Sequence, residues 1–230
     1  MDEQAECWLY ALSAPMVGLN PHASYTAPGF LAEGKVNLVD GWGIHNRDEL
    51  LDMLRMADNG HARHLSDAYW RWHRCLPSEW EALLASLTPR ERTLHRFASQ
   101  TAGETGPGGI RAWDLGRMGF LLRCGLGNGF IDRQESLWLH GRMAVRARYY
   151  YNHWAGYVAG FCIGRAFWNC LGNSDEDLAQ ELQRQGDDGG SRQMMRELSD
   201  NPAIAFADLP WDLPLNLPER PASLAEFHWS

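Results

Sequence analysis

Apolar residues along this chain recur mostly at the spacing of a helix face, and cap-forming polar residues stand at the start of several runs. From Glu3 to about Val17, the positions Cys7, Leu9, Tyr10, Ala11 and Ala14 predict a first helix. Residues 18–43 are rich in Gly, Pro and polar side chains, and Lys35-Val36-Asn37-Leu38-Val39 is the only strand-like alternation there. Asn46-Arg47-Asp48-Glu49 reads as a capping box, in which the Asn takes an orphan N–H and Glu49 reaches back. Leu50, Leu51, Met53, Leu54 and Ala57 follow it, and Gly60 is expected to supply a left-handed stop.

The same grammar recurs downstream. Ser78-Glu79-Trp80-Glu81 opens a helix through Leu87, Thr88-Pro89-Arg90-Glu91 another with Pro at its first position, Asp132-Arg133-Gln134-Glu135 a long one to about Tyr150, and Ser174-Asp175-Glu176-Asp177 a shorter one. Two further helices are predicted from about Ile110 to Leu126 and from about Asn152 to Leu171. Gly186-Asp187-Asp188-Gly189-Gly190 reads as a flexible loop. From residue 202 the prolines predict an extended tail laid over the body and pinned by Trp211 and neighbouring leucines. The pattern predicts an all-α fold, one multi-helix domain over residues 1–230.

Residues 154–172 approach membrane-span length, and Gly156, Gly160 and Gly164 form a stripe that in lipid would mark a helix dimer. Arg165 near the middle would cost roughly 2.5–3.5 kcal/mol there, and Asn169 adds to it. The soluble reading uses the same glycines as a groove for close approach of the helix carrying Gly116 and Gly119. No membrane association is expected.

Composition narrows the partners. The net charge is −8 with 21 Lys and Arg against 29 Asp and Glu, so counterion release on nucleic acid is not a driving force and none is expected as partner. Eleven tryptophans supply either large buried area or a binding surface. Cys7, Cys75, Cys124, Cys162 and Cys170 are odd in number, form no CxxC and mostly lie in apolar helical patterns, as reduced core thiols do. The acidic start, Met1 to Glu6, has neither a basic nor an apolar leader region, and a cytoplasmic location is expected.

Charged residues at apolar places are the candidates for chemistry. Asp114 and Arg117 sit one turn apart, and Arg165 follows Gly164. Packed through their glycines, the two helices would set Asp114 between two guanidinium groups, either as a register-fixing ion network or as an anion site. His61, His64 and Asp67 share one face at helical spacing and are the only weak metal candidates; no metal and no cofactor are expected. Arg142, Arg146 and Arg148 precede Tyr149, Tyr150 and Tyr151 and read as a solvated face with stacked stems. No nucleophile elbow, P-loop or dinucleotide fingerprint occurs.

Three signatures resemble a bacterial family of unknown function, DUF1266. They are Trp42-Gly43-Ile44 with Asp48-Glu49-Leu50, Leu54 and Gly60-His61; Ala112-Trp113-Asp114-Leu115-Gly116-Arg117 with Gly125, Gly129-Phe130-Ile131 and Glu135; and Trp154, Tyr157, Gly160, Gly164-Arg165 and Phe167-Trp168. They span about residues 40–170. The chain departs from the family pattern at Ala62-Arg63 and at Ala155-Gly156. The resemblance implies a bacterial cytoplasmic protein and no established activity.

Two functions follow as expectations. The first is a non-catalytic domain that binds a protein partner, of adaptor or toxin-immunity type, suggested by acidity, abundant Trp and Tyr and the lack of a catalytic set. The alternative is a small-molecule or anion site, or an enzyme, around Trp113, Asp114, Arg117 and Arg165. Trp42, His61, Glu135 and Trp154 complete the candidate network.

Overall fold

In the computed structural model, which describes residues 1–185, Met194, Leu198 and 209–229, caps and breakers divide the chain into α1 (Glu3–Ala11), α2 (Ala14–Gly18), α3 (Leu38–Trp42), α4 (Arg47–Met53), α5 (Met56–Asn59), α6 (Arg63–Trp72), α7 (Pro77–Ser86), α8 (Pro89–Thr105), α9 (Arg111–Asn128), α10 (Arg133–Tyr150), α11 (Trp154–Asn169) and α12 (Asp175–Gln185). No strand occurs among the described residues, and the fold is all-α. The Gly186–Gly190 segment lies outside the described residues.

The capping boxes at Thr88 and Asp132 form as the sequence predicts; Asn46 accepts the Glu49 N–H as expected, with Glu49 reaching back to the His45 N–H and not to that of Asn46. Four local expectations are corrected. The first helix breaks at Leu12-Ser13, where Pro15 in the first turn of α2 has no N–H to continue the ladder. The alternation at 35–39 yields to a helix, because Asn37 accepts the N–H groups of Val39 and Asp40 and caps α3. α7 starts at Pro77, with Glu79 accepting the Leu76 N–H at 2.8 Å, two residues earlier than a box capped by Ser78 implied. Gly60 has φ −77°, so it is no left-handed stop; its purpose appears at the site below.

The helix pair α9–α11 forms the centre. An aromatic ring from each helix enters a glycine of the other. A Cβ on Gly164 would lie 2.4 Å from that of Trp113, and a Cβ on Gly116 2.8 Å from the Phe161 ring. Gly119 instead faces Ser13, and Gly160 makes room for the Tyr151 hydroxyl, which donates to Gly109 O at 2.8 Å and accepts the Ala112 N–H at 2.9 Å. A larger side chain at Gly116 or Gly164 would push the helices apart. No helix among the described residues is long and apolar enough to cross a membrane.

One core cluster lies between α1, α4, α9, α10, α11 and the tail, and a second among α6, α8, α11 and α12. The stretch 209–229 runs over the first cluster, and tryptophans tie it down. Trp8, Trp154 and Trp211 pack with ring centres 4.8–5.4 Å apart. Their indole N–H groups donate to Pro210 O, Leu209 O and Tyr151 O at 3.1, 2.6 and 3.0 Å. Much of the tryptophan abundance thus serves to bury ring area while satisfying irregular backbone.

The arginines of α10 do not form the solvated face the sequence suggested. Arg146 is buried and forks onto Asp58 at 2.7 and 2.8 Å, and Arg148 stacks over Trp8 while donating to Leu213 O at 2.7 Å. They bind the tail because its carbonyls and rings lie directly over their helix.

Candidate functional site

The site is built where the loop between α5 and α6 meets α9. Asp114, 1% exposed, accepts the backbone N–H of His61 at 3.0 Å on Oδ1 and that of Ala62 at 2.8 Å on Oδ2. A Cβ on Gly60 would stand 2.4 Å from the Asp114 carboxyl carbon, so glycine is needed there for close approach. The carboxylate satisfies two backbone donors of a turn that has no other acceptor for them. Its first task is structural.

The His61 ring is turned toward the same carboxylate, with Nδ1 3.2 Å from Asp114 Oδ1 and 3.1 Å from Arg117 Nη1. Arg117, one turn along α9, lies between two indoles, 4.6 Å from the Trp42 ring centre and 5.0 Å from that of Trp113. Burial lowers the Arg117 pKa from the usual guanidinium range, and Asp114 opposes that shift. Among the described residues, its contact with His61 Nδ1 is its only hydrogen-bonding contact. Trp113 is 5% exposed and packs on Phe161 and Trp168, yet its indole N–H is buried without an acceptor.

Thus Trp42, His61, Trp113, Asp114 and Arg117 come together, while the other candidates do not join them. Arg165 lies half-buried on α11 and is not among the groups bound to Asp114; the His61 and Ala62 amides take the place the sequence assigned to it. The reason is the fold of the turn, which brings backbone donors closer than a second long side chain. Glu135 caps α10, accepting the Asp132 N–H at 3.0 Å, and pairs with Arg47 at 2.6 Å; burial would raise its pKa, but these contacts hold it below the ordinary range. Trp154 belongs to the tail triad.

His61, His64 and Asp67 do not converge. His61 precedes α6 and faces Asp114, His64 lies near the Phe167 ring, and Asp67 pairs with Arg71 at 2.7 Å. Among the described residues no three His, Cys, Asp or Glu side chains are placed to hold a metal ion.

Arg123 escaped the sequence reading. Fully buried on α9, it donates to Ser13 Oγ and to the carbonyls of Ser24 and Ala27, and its guanidinium lies 5.2 Å from both the Tyr10 and Phe30 rings. Burial pulls its pKa down to about 10. It fastens the 24–27 loop to the core; the signal in the sequence was a lone Arg inside the apolar run from Met118 to Cys124.

A second surface feature lies beside this site. Ala62, Ser66, Trp70, His73, Arg74 and Arg111, with Tyr149 and Tyr150, line a cavity of about 280 Å³. Arg74 stacks over Trp70 at 4.6 Å, and Arg111 stacks over Tyr150 at 4.3 Å while donating to Ser66 Oγ at 3.1 Å. Among the described residues, neither guanidinium has a carboxylate within ion-pairing distance.

Two curated relatives are similar along nearly the whole chain. The uncharacterized protein YbeU of Escherichia coli (strain K12) is 40% identical over 218 residues, 92% of each chain. The uncharacterized protein YbeR of the same strain is 38% identical over 216 residues, again 92% of each. No solved structure matches. The family described as "Protein of unknown function (DUF1266)" matches residues 37–211, a span that takes in the Asp114 turn, the α9–α11 pair and the tail as far as Trp211, and the chain belongs to that family.

Proposed function

We propose that the chain is a non-catalytic interaction domain of adaptor or immunity type that binds an acidic segment of a cytoplasmic protein partner. The observation that carries this reading is the face around the α6–α10 cavity. Trp70 is 56% exposed and Tyr149 81%, beside His73, Arg74 and Arg111. Trp, Tyr and Arg are the residue types that dominate binding hot spots, and here they lie next to one another instead of scattered. The chain as a whole carries −8, so a locally cationic aromatic face selects for an acidic partner against a repulsive background. Asp114, the one deeply buried carboxylate of the site above, is engaged by two backbone amides, which further favours a binding role over acid–base chemistry.

The test is capture from the native host with the intact chain as bait, beside a Trp70→Ala/Tyr149→Ala double variant and a Val39→Ala control. A stoichiometric partner retained by wild type and control, released by salt and lost by the double variant, is the expected result. Equal capture by the double variant, or no stoichiometric partner at all, overturns the proposal.

A further inference from the structure

Among the described residues five arginines stack on a tryptophan, and two of these places, at Arg146 and at Arg117, differ in how the indole N–H is satisfied. At the first, Arg146 lies 4.5 Å from the Trp229 ring centre. One carboxylate serves both side chains: Asp58 accepts Arg146 Nε at 2.7 Å and Nη2 at 2.8 Å, and its Oδ2 also takes the Trp229 indole N–H at 2.9 Å. At the second, Arg117 lies 5.0 Å from the Trp113 ring centre, and the guanidinium has no carboxylate partner while the buried indole N–H has no acceptor. The donor set is the same and the acceptor is missing.

His61 does not fill the gap. Its Nδ1 stands 3.1 Å from Arg117 Nη1 and 3.2 Å from Asp114 Oδ1, and a single ring nitrogen either accepts from the first or donates to the second. If it donates to Asp114, Arg117 has no acceptor. If it accepts from Arg117, its lone pair faces a carboxylate oxygen. Asp114 itself is committed to the His61 and Ala62 amides. A buried donor without an acceptor is a rare and costly arrangement, and the Trp113 indole N–H is one, lying against the half-buried Arg117 guanidinium.

We infer that Arg117, with the Trp113 indole N–H and the Trp42 ring as its other wall, is a binding site for a carboxylate supplied from outside the chain. The bound carboxylate takes the place that Asp58 occupies at Arg146: it forks onto the free edge of the Arg117 guanidinium and accepts the Trp113 N–H. With the guanidinium so engaged, His61 Nδ1 is free to donate to Asp114. The ligand class is an organic carboxylate, either a small dicarboxylic acid or an acidic side chain of a partner. The site is separate from the Trp70–Tyr149 face and stands whether or not that face binds protein.

Titration of the intact chain with succinate, with a short Glu-containing peptide and with inorganic phosphate, followed by tryptophan fluorescence and calorimetry, tests this. Saturable binding of succinate or the peptide is expected; the two arms distinguish a free acid from a partner's side chain. Arg117→Gln should abolish binding. Arg117→Lys, which keeps charge but loses the fork, should weaken it about tenfold, and Trp113→Phe, which keeps a ring but loses the N–H, several-fold. Should Arg117→Gln fail to fold, the Lys and Phe variants decide. The inference is overturned if neither carboxylate saturates the wild type, if phosphate binds more tightly than both, or if the folded Lys and Phe variants bind as wild type does.

Discussion

Arg146 with Trp229 and Arg117 with Trp113 are chemically the same pair placed in different company. The first has Asp58 across from it, and that carboxylate ties Trp229 of the tail to Arg146. The second has Asp114 on its own helix, one turn away, but that carboxylate is spent on the turn before α6. A stacked Arg–Trp pair closed by an internal carboxylate is a structural clasp; the pair whose buried indole N–H lacks an acceptor is the one inferred to take an outside carboxylate. What separates structure from function here is the supply of acceptors and not the identity of the donors.

The sharpest way to break the comparison is to make one substitution at both arginines. Arg146→Met removes a buried guanidinium and its fork, leaving the exposed Asp58 with the Trp229 N–H alone, and should cost roughly 2–3 kcal/mol in urea unfolding. Arg117→Met removes a guanidinium that burial penalises and that Asp114 offsets only through space, without a hydrogen bond, so lost stacking and relieved desolvation should offset to within about 1 kcal/mol. Equal costs at the two positions would show that Arg117 is as fully used by the fold as Arg146.

A smaller effect is expected from the rings. Trp229→Phe deletes an indole N–H bonded to Asp58 at 2.9 Å and should lower stability by about 1 kcal/mol. Trp113→Phe deletes a donor that has no acceptor, and the gain from removing it should offset most of the lost ring area, leaving less than about 0.5 kcal/mol. A larger loss at position 113 than at 229 would count against the open pair.

Local rules account for much of what the sequence made legible. The cap at Asn46 and the capping boxes at Thr88 and Asp132 depend on residues three apart, and the helices they open are where the pattern put them. Asp114 and Arg117 were visible because a charge in an apolar helix needs a reason. Their partners were not, since a backbone amide carries no signature in a sequence, and the turn that presents those of His61 and Ala62 depends on Gly60 admitting the carboxylate. Glycine at position 60 reads as a helix stop until something is known to approach it. The α10 arginines were misread for a related reason: the tail they bind is 65 residues away in sequence for Arg148 and Leu213, and no periodicity reports contacts at that range. At 35–39 and at Ser13, a single cap and a single proline overrode the longer apolar pattern.

The closed pair also has an acid limit that the open pair lacks. Burial would raise the Asp58 pKa, but hydrogen bonds from Arg146 and Trp229 and the nearby charge of Arg111 outweigh it and hold the carboxyl below the ordinary range. The unfolded chain takes up that proton near pH 3.9, before the folded one does. The stability contributed by Asp58 is therefore fully present above about pH 4 and is lost as the pH falls through the folded value. Glu135 loses its own share over a similar range, so the measurement must be a difference. Wild type and Asp58→Asn, unfolded in urea at steps from pH 7 to pH 3, should keep a constant gap down to about pH 4 and then converge, because the variant has no proton to take up. A gap that stays level to pH 3 would mean that the ionised carboxylate is not what holds Arg146 and Trp229 together, and the template for the open site would go with it.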